Sequence, residues 1–437
     1  IFLHPTGVFS CFLNFSPYKH SIQSSYLKVS RSYNHWRKES VQDRTLNRNE
    51  TREIIARLKE GEVPNLVVTG GEPMLYPDLM IETLETAKCA GLECSLNSNL
   101  TLLTPEIAKE LKRLNIGILT SILSFDKDLH DGVTTSCGSF DRLIDGIRLA
   151  QEFGIHISTN MVVMRMNMDQ IYDTGKFVHG LGVTGFKATK VHPAQGSSCY
   201  EEIKLPPEKI VDIFDNLIRL REEFGLNVDS LTTYPMCRLK DMSRYGEFLS
   251  KRSCSAGKTG CTIGADGQVR PCGHSDNTYG SLVEESFVQI WPRLNEWRDD
   301  SLLPTECKEC KHVIQCSGGC RMDCKFYGNI SGMDPCATGK DFNFIPQISE
   351  PAVLLDPKVK LVVNPALHLR SEKFGTALIV GGNFTSIVTQ DSALLLEELA
   401  GTAFTLDYVV NEYNIEPDIV GRFFTNLFKQ KVVRLAE

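Results

Sequence analysis

No stretch of this 437-residue chain reaches the roughly 18 consecutive apolar residues that a membrane-crossing helix needs, so nothing in it is expected to span a bilayer. A dominant charge is missing too. Lys and Arg total 47 against 54 Asp and Glu, a formal net charge of -7 that offers no basic face to nucleic acid. There is no internal repeat and no low-complexity tract, and none of the ten histidines has a second one four residues along. A helix-borne His-x3-His metal pair is therefore excluded. The first fifteen residues are apolar in patches but broken by His4, Pro5 and Gly7. They lack a basic n-region and an A-x-A-like cleavage site, so no signal peptide is expected and the expected compartment is the cytoplasm. Ile1 rather than Met opens the chain, as in a fragment or a trimmed chain. Hydrophobic residues at 42% are enough for real cores, which excludes global disorder. The length suggests two to four domains at about 100–200 residues each.

Cysteine is plentiful and unevenly placed. Of fifteen, eight lie between Cys254 and Cys324, and Cys336 follows closely. "CSAGKTGCTIGADGQVRPC" sets Cys254, Cys261 and Cys272 around an expected hairpin turn at Asp266-Gly267. "CKECKHVIQCSGGC" sets Cys307, Cys310, Cys316 and Cys320. An odd total with C-x-x-C spacing argues for metal or cluster ligation over a secreted disulfide framework. Two thiolates from one short loop point at one ion, and a second pair completes the four ligands that zinc or an iron–sulfur cluster takes. Eight thiolates suffice for two such sites. Buried unligated thiols are the bland alternative, common singly but not at this density. Cys89, Cys94, Cys137, Cys199 and Cys237 have no partner at ligand spacing. Cys324 is left open as a helix-face neighbour, a spare ligand or a reactive thiol, and His274 is expected at the surface.

Between residues 48 and 224 strand and helix patterns alternate. Strands are expected at 65–70, 92–99, 116–124, 155–164 and 185–191. Helices are expected at 77–90, 104–114, 139–154, 168–181 and 206–224, the second with Thr104 as cap and Pro105 at the first helical position. This order implies a parallel sheet covered by helices, with ligands at the carboxyl ends of its strands. "VVTGGEPM" falls at such an end. Its glycines would let backbone approach a ligand, and Glu72 could hold an ammonium group, although Gly-Gly and Glu-Pro are also ordinary turn chemistry. Residues 252–340 have little periodicity and few apolar residues, as in a module held by metal. Prolines 346, 351 and 357 mark a linker. In the remaining tail of about 80 residues, strands are expected within 359–371 and 376–390, and helices at 391–401, 405–414 and 416–433.

These features together resemble the radical S-adenosylmethionine (SAM) enzymes of the SPASM subgroup, which include anaerobic sulfatase maturases and peptide-modifying maturases. The resemblance covers roughly residues 60–340. Its cysteine pattern, C-x(9–15)-G-x4-C, then C-x2-C-x5-C-x3-C, then C, is met at Cys254, Gly267 and Cys272, at Cys307, Cys310, Cys316 and Cys320, and at Cys336. The resemblance implies an α/β fold with a partial (β/α)6 TIM-like barrel at 1–224, of which 1–47 is anomalous. A bridging segment at 225–251, a SPASM module at 252–340 and a linker at 341–354 follow. The tail, 355–437, is similar in layout to small winged-helix domains that bind leader peptides, with a capping or oligomerisation domain as the bland alternative. Two auxiliary [4Fe–4S] clusters are implied, one on Cys254, Cys261, Cys272 and Cys320, the other on Cys307, Cys310, Cys316 and Cys336. Gly70, Gly71, Glu72 and Pro73 would sit against the SAM amino group, with Asn97, Ser124 and Asn160 as further contacts. The implied partners are a peptide or protein substrate, with or without a leader, and an electron donor such as flavodoxin or ferredoxin. The implied chemistry is hydrogen abstraction by a 5′-deoxyadenosyl radical.

One part of the family pattern is absent. A third cluster, the radical one, needs C-x3-C-x2-C after the first strand, and "PTGVFSCFLNFSPYKHS" does not supply it. With Cys11 in the first position, Phe15 and Tyr18 take the others. With the "PT" register, Phe9, Leu13 and Ser16 do. One thiolate does not hold a cubane, so the chain as written is expected not to cleave SAM. Two accounts follow: a pseudoenzyme that keeps its clusters and its peptide, or an N-terminal segment that does not represent the native one. A zinc-stabilised binding module is a third reading. The sequence assigns no catalytic base; Asp126 and Asp131, after a strand end, are expected in a solvated loop.

Overall fold

A computed structural model describes residues 10–15, 46–193, 199–250, 254–310, 312–339, 354–372, 375–380 and 383–436. The expected linker, most of the anomalous N-terminal stretch and the start of the chain lie outside these residues. The chain divides into two compact units, one ending at Phe344 and one comprising the C-terminal residues from Ile345 onward.

In the first unit nine strands form one sheet among the described residues. They are β1 (Ser10–Phe15), β2 (Asn65–Gly70), β3 (Glu93–Asn97), β4 (Gly117–Ser121), β5 (Ile157–Val163), β6 (Gly185–Lys190), β7 (Asn227–Asp229), β8 (Gly260–Ile263) and β9 (Val269–Arg270). Their spatial order is 7-6-5-4-3-2-1-8-9. Every pairing is parallel except the β8–β9 hairpin. Strands β1 to β6 with their crossover helices make an open α/β barrel. Parallel strands buried on both faces carry the core: Leu66, Val68, Leu96, Met161, Val163, Phe186 and Ala188 are sealed from solvent. Thr104 caps helix Pro105–Arg113 through the Ile107 amide at 3.4 Å, as its position before Pro105 predicts.

The expected elements recur within a few residues, with three differences. Helix Arg48–Glu60, where no element is expected, opens on a capping box between Asn47 and Glu50. Helix Lys127–Thr134 likewise falls where a solvated loop was expected, with Asp126 as its cap. The expected bridge at 225–251 is part of the fold: it adds β7 to the sheet and helices Met236–Leu239 and Met242–Ser250 to the same core. The cysteine-rich module is also continuous with the barrel, since β8 pairs in register with β1. The expected hairpin turn is present. Gly267 holds a positive φ of 77°, where a Cβ would lie 2.6 Å from Val283, and Asp266 pairs with Arg270 at 2.6 Å.

The second unit has its own core around Leu361, Leu378, Leu396, Phe424 and Leu427. Strands β10 (Leu361–Val363) and β14 (Val433–Leu435) pair antiparallel. β11 (Leu367–Glu372), β12 (Gly375–Val380) and β13 (Asn383–Val388) form an antiparallel meander, followed by helices Gln390–Glu398, Leu406–Tyr413 and Pro417–Lys429. The last helix ends at Lys429, earlier than expected. Val433–Leu435 is drawn into a strand because its partner β10 is there to take its hydrogen bonds.

Candidate functional site

The turn after β2 is the first place where the strand ends converge. Gly71 is exposed, and a side chain built on it would meet nothing within 4 Å. Glu72 is turned the other way. Its carboxylate is 4% exposed and accepts from the Met74 amide at 3.0 Å, Ser98 Oγ at 2.7 Å and the Asn99 amide at 2.8 Å. Burial raises its pKa despite those three donors. Glu72 thus pins the end of β2 to the loop after β3, and the open backbone at Gly71 is what faces outward. Pro73 begins a single 3-10 turn. Asn97 closes β3. Ser124 is fully buried and donates to Gln170 while accepting from the Asp126 amide at 2.7 Å. Asn160 stands in the middle of β5 rather than at its end, with its side-chain carbonyl taken by Thr189 Oγ1 at 2.8 Å. Asp126 caps a helix, and Asp131 accepts from the Gly138 and Phe140 amides and from Ser139, so both have structural duties.

The position of a third cluster can be read from the backbone. Phe15, the last residue of β1, is directly beside Gly70, the last residue of β2. Cys11 lies inside β1, with its backbone between Leu66 and Cys261, and is a strand residue rather than a loop ligand. Leu13 and Phe15 are in the same strand, while Phe9, Ser16 and Tyr18 fall outside the described residues. From Phe12 to Lys88 the sequence has no cysteine. These residues do not fit a three-cysteine cluster.

The other thiols do fit cluster ligation. Cys261 sits on β8, Cys272 two residues after β9 and Cys320 at the start of helix Arg321–Phe326. Cys254 lies close enough to Cys272 and Cys320 for their charges to act on one another. Cys307, Cys310 and Cys316 are likewise mutually coupled. Burial pushes the thiols of Cys272 and Cys336 up to about 12 and that of Cys307 to about 11. Thiols this buried stay protonated at neutral pH unless a cation replaces the proton, as bound iron would. Asp334, 2% exposed, receives the Cys320 amide at 2.7 Å and the Cys336 amide at 2.8 Å. Arg321 donates to the carbonyls of Leu302, Ile330 and Gly332 at 2.9–3.2 Å and also to Gly318, gathering the loops around them. Cys324 donates to the Cys320 carbonyl at 3.2 Å, the contact of a helix-face neighbour.

A buried polar cluster that the sequence reading missed joins the barrel to this module. Lys190, the last residue of β6, forms an ion pair with Asp323 of helix Arg321–Phe326; the two are 4% and 1% exposed. His192 Nδ1 lies 3.1 Å from the same Asp323 oxygen, its Nε2 meets Thr232 Oγ1, and Tyr200 donates to the other Asp323 oxygen at 3.2 Å. Burial opposes the Lys190 charge. Asp323, aided by Cys336, Asp334 and Cys320, outweighs it and holds the amine well above its usual range. Burial would likewise raise Asp323, but Lys190 and His192 keep its carboxyl far below the usual value. His274 is exposed as expected, with its ring 5.6 Å from that of His192. The pairing spans 133 residues, so no local pattern announces it.

This combination, an open parallel barrel followed by a hairpin-led cysteine module, defines a class that comparison with known proteins identifies. The chain matches a radical SAM superfamily model over residues 29–178, beginning beyond β1, and a SPASM iron-sulfur cluster-binding domain model over residues 254–311. Iron–sulfur clusters and SAM are the cofactors of these two domain types. Among curated relatives, the AdoMet-dependent heme synthase of Methanosarcina barkeri is 25% identical over 298 residues, covering 64% of this chain and 84% of that protein. The mycofactocin maturase MftC of Mycobacterium tuberculosis is 24% identical over 308 residues, covering 67% and 76%. Among solved structures, Streptococcus suis SuiB bound to S-adenosylmethionine superposes with a TM-score of 0.61 at 17% identity, covering 76% of this chain and 77% of that one. The anSMEcpe structure with bound AdoMet gives 0.57 at 16%, covering 74% and 93%. No helix among the described residues is long and apolar enough to cross a membrane.

Proposed function

We propose that this chain is a SPASM protein of the peptide-maturation type that carries two auxiliary [4Fe–4S] clusters, binds SAM and a leader-bearing peptide, and does not cleave SAM as its sequence stands. The observation that carries this reading is the contrast between two sets of thiols. Eight cysteines stand at family spacing in the module, while the sequence from residue 12 to residue 88 has none. When bound, the auxiliary clusters would supply single-electron transfer. The chain's part is to give up the thiol protons, to keep water from the sulfurs and to lock the module to the barrel through Lys190 and Asp323. Exposed backbone at Gly71, beside half-buried Gly70, is suited to a small polar ligand such as SAM. The cytoplasm is the matching compartment, with flavodoxin or ferredoxin as electron donor.

A peptide is supported by the maturase MftC and by the structure of SuiB bound to its precursor peptide SuiA, which superposes with a TM-score of 0.61. The C-terminal unit, read as a winged-helix-like recognition domain, offers the outer strands of its meander to an extended segment. A groove of about 550 Å³ in that unit is lined by Val362, Leu367, His368, Leu396, Glu397 and Arg434. Haem synthases among the relatives favour a second reading, a haem-type substrate. Two measurements test the proposal. After anaerobic reconstitution, iron and acid-labile sulfide should reach about eight of each per chain; zinc without sulfide would refute it. Fluorescence anisotropy with a labelled precursor peptide should then show saturable binding. Saturable binding of iron coproporphyrin with none of the peptide would favour the second reading.

A further inference from the structure

Cys237 stands apart from every cysteine motif, yet the fold brings it to the second cluster's thiols. It lies on the short helix Met236–Leu239, next to Met236, whose amide donates to Cys316 Sγ at 3.3 Å. Cys237 Sγ itself accepts from the Thr338 amide at 3.3 Å, the kind of N–H to sulfur bond that supports cluster ligands. Thr338 Oγ1 holds the Cys237 carbonyl at 2.8 Å, and Arg238 donates to the Cys336 carbonyl at 2.7 Å. Helix Met236–Leu239 and the strand of chain carrying Cys336 are thereby fastened side by side. Cys237 is also close enough to Cys307 and Cys316 for the charges of the three to interact. The strongest neighbours of Cys336 are instead Lys190, Asp334, Asp323 and Arg238.

We propose that the second auxiliary site is a five-thiol site, in which Cys237 is a ligand able to hold the fourth iron beside Cys307, Cys310 and Cys316. Cys336, the ligand that spacing suggests, then shares that position. In such a site one cysteine thiolate replaces another on the same iron, with one thiol proton lost and one regained and no change in oxidation state. The fourth position can therefore open without loss of the cluster.

The inference rests on the two-cluster reading, and the test separates them. The full chain, Cys336→Ser and Cys237→Ser/Cys336→Ser are reconstituted anaerobically with iron and sulfide. Each is assayed for both elements and by Mössbauer spectroscopy. The unsubstituted chain should hold about eight irons; markedly fewer would refute the two-cluster reading itself. Cys336→Ser should still hold about eight, and the double variant about four, with the spectrum of the remaining cluster showing that the module is folded. A fall to about four in Cys336→Ser alone would overturn the role of Cys237, and so would retention of eight in the double variant.

Discussion

Lys190 and Asp323 are nearly sealed from water and form a direct ion pair, with His192 against the same carboxylate. Lys190→Met therefore leaves a buried carboxylate facing thiols. It should destabilise the protein by about 3–5 kcal/mol, measured by urea unfolding. Lys190→Met/Asp323→Asn should cost clearly less than the sum of its single changes, because the pair acts as one unit. Additivity would mean that the pair is not coupled. His130 offers a pH-dependent counterpart. Its ring is 1% exposed, accepts the Leu123 amide at Nδ1, and is held by burial at about 4, below the usual 6.5. A base depressed in the folded state contributes stability that is complete above its unfolded value and is lost as pH falls from about 6.5 through 4. Between pH 7 and pH 5 the wild type should lose about 2 kcal/mol more than His130→Asn, which keeps an acceptor but does not titrate. Equal losses in both would remove His130 as the cause.

The elements show what a sequence discloses and what it withholds. Strands β2 to β6 and the helices between them were legible because each is written in local periodicity and local caps, such as Thr104 before Pro105. The auxiliary cysteines were legible because a cluster needs several thiols from one short segment. The pairing of β8 with β1 was not, since the two strands are some 250 residues apart and neither carries a pattern that selects the other. Cys237 and the Lys190–Asp323 pair were hidden for the same reason. Asn160 falls inside both the expected strand at 155–164 and the observed Ile157–Val163, so its place at mid-strand was already written in the apolar run. Arg321 belongs here too, because its guanidinium gathers three separate loops. Arg321→Met leaves those carbonyls without donors and should lower bound iron and sulfide after reconstitution, while the barrel's unfolding transition persists. Full cluster content in that variant would contradict the role given to Arg321.

Among the described residues the larger unit has a main core through the barrel and cysteine module with a smaller satellite around Leu123 and Tyr200, and the C-terminal unit has a core of its own. Separate cores predict separate cooperative transitions. Scanning calorimetry of the full chain should resolve two peaks, and only the larger unit's should move when iron and sulfide are restored. The account as a whole depends on a chain that keeps the family's barrel and auxiliary thiols while lacking the radical-site thiols. The most direct measurement is the yield of 5′-deoxyadenosine from the anaerobically reconstituted full chain given dithionite and SAM. No 5′-deoxyadenosine from a protein holding about eight irons is the predicted result. Turnover of SAM to 5′-deoxyadenosine by that same protein would show that a radical cluster forms without the three cysteines, and would contradict the account.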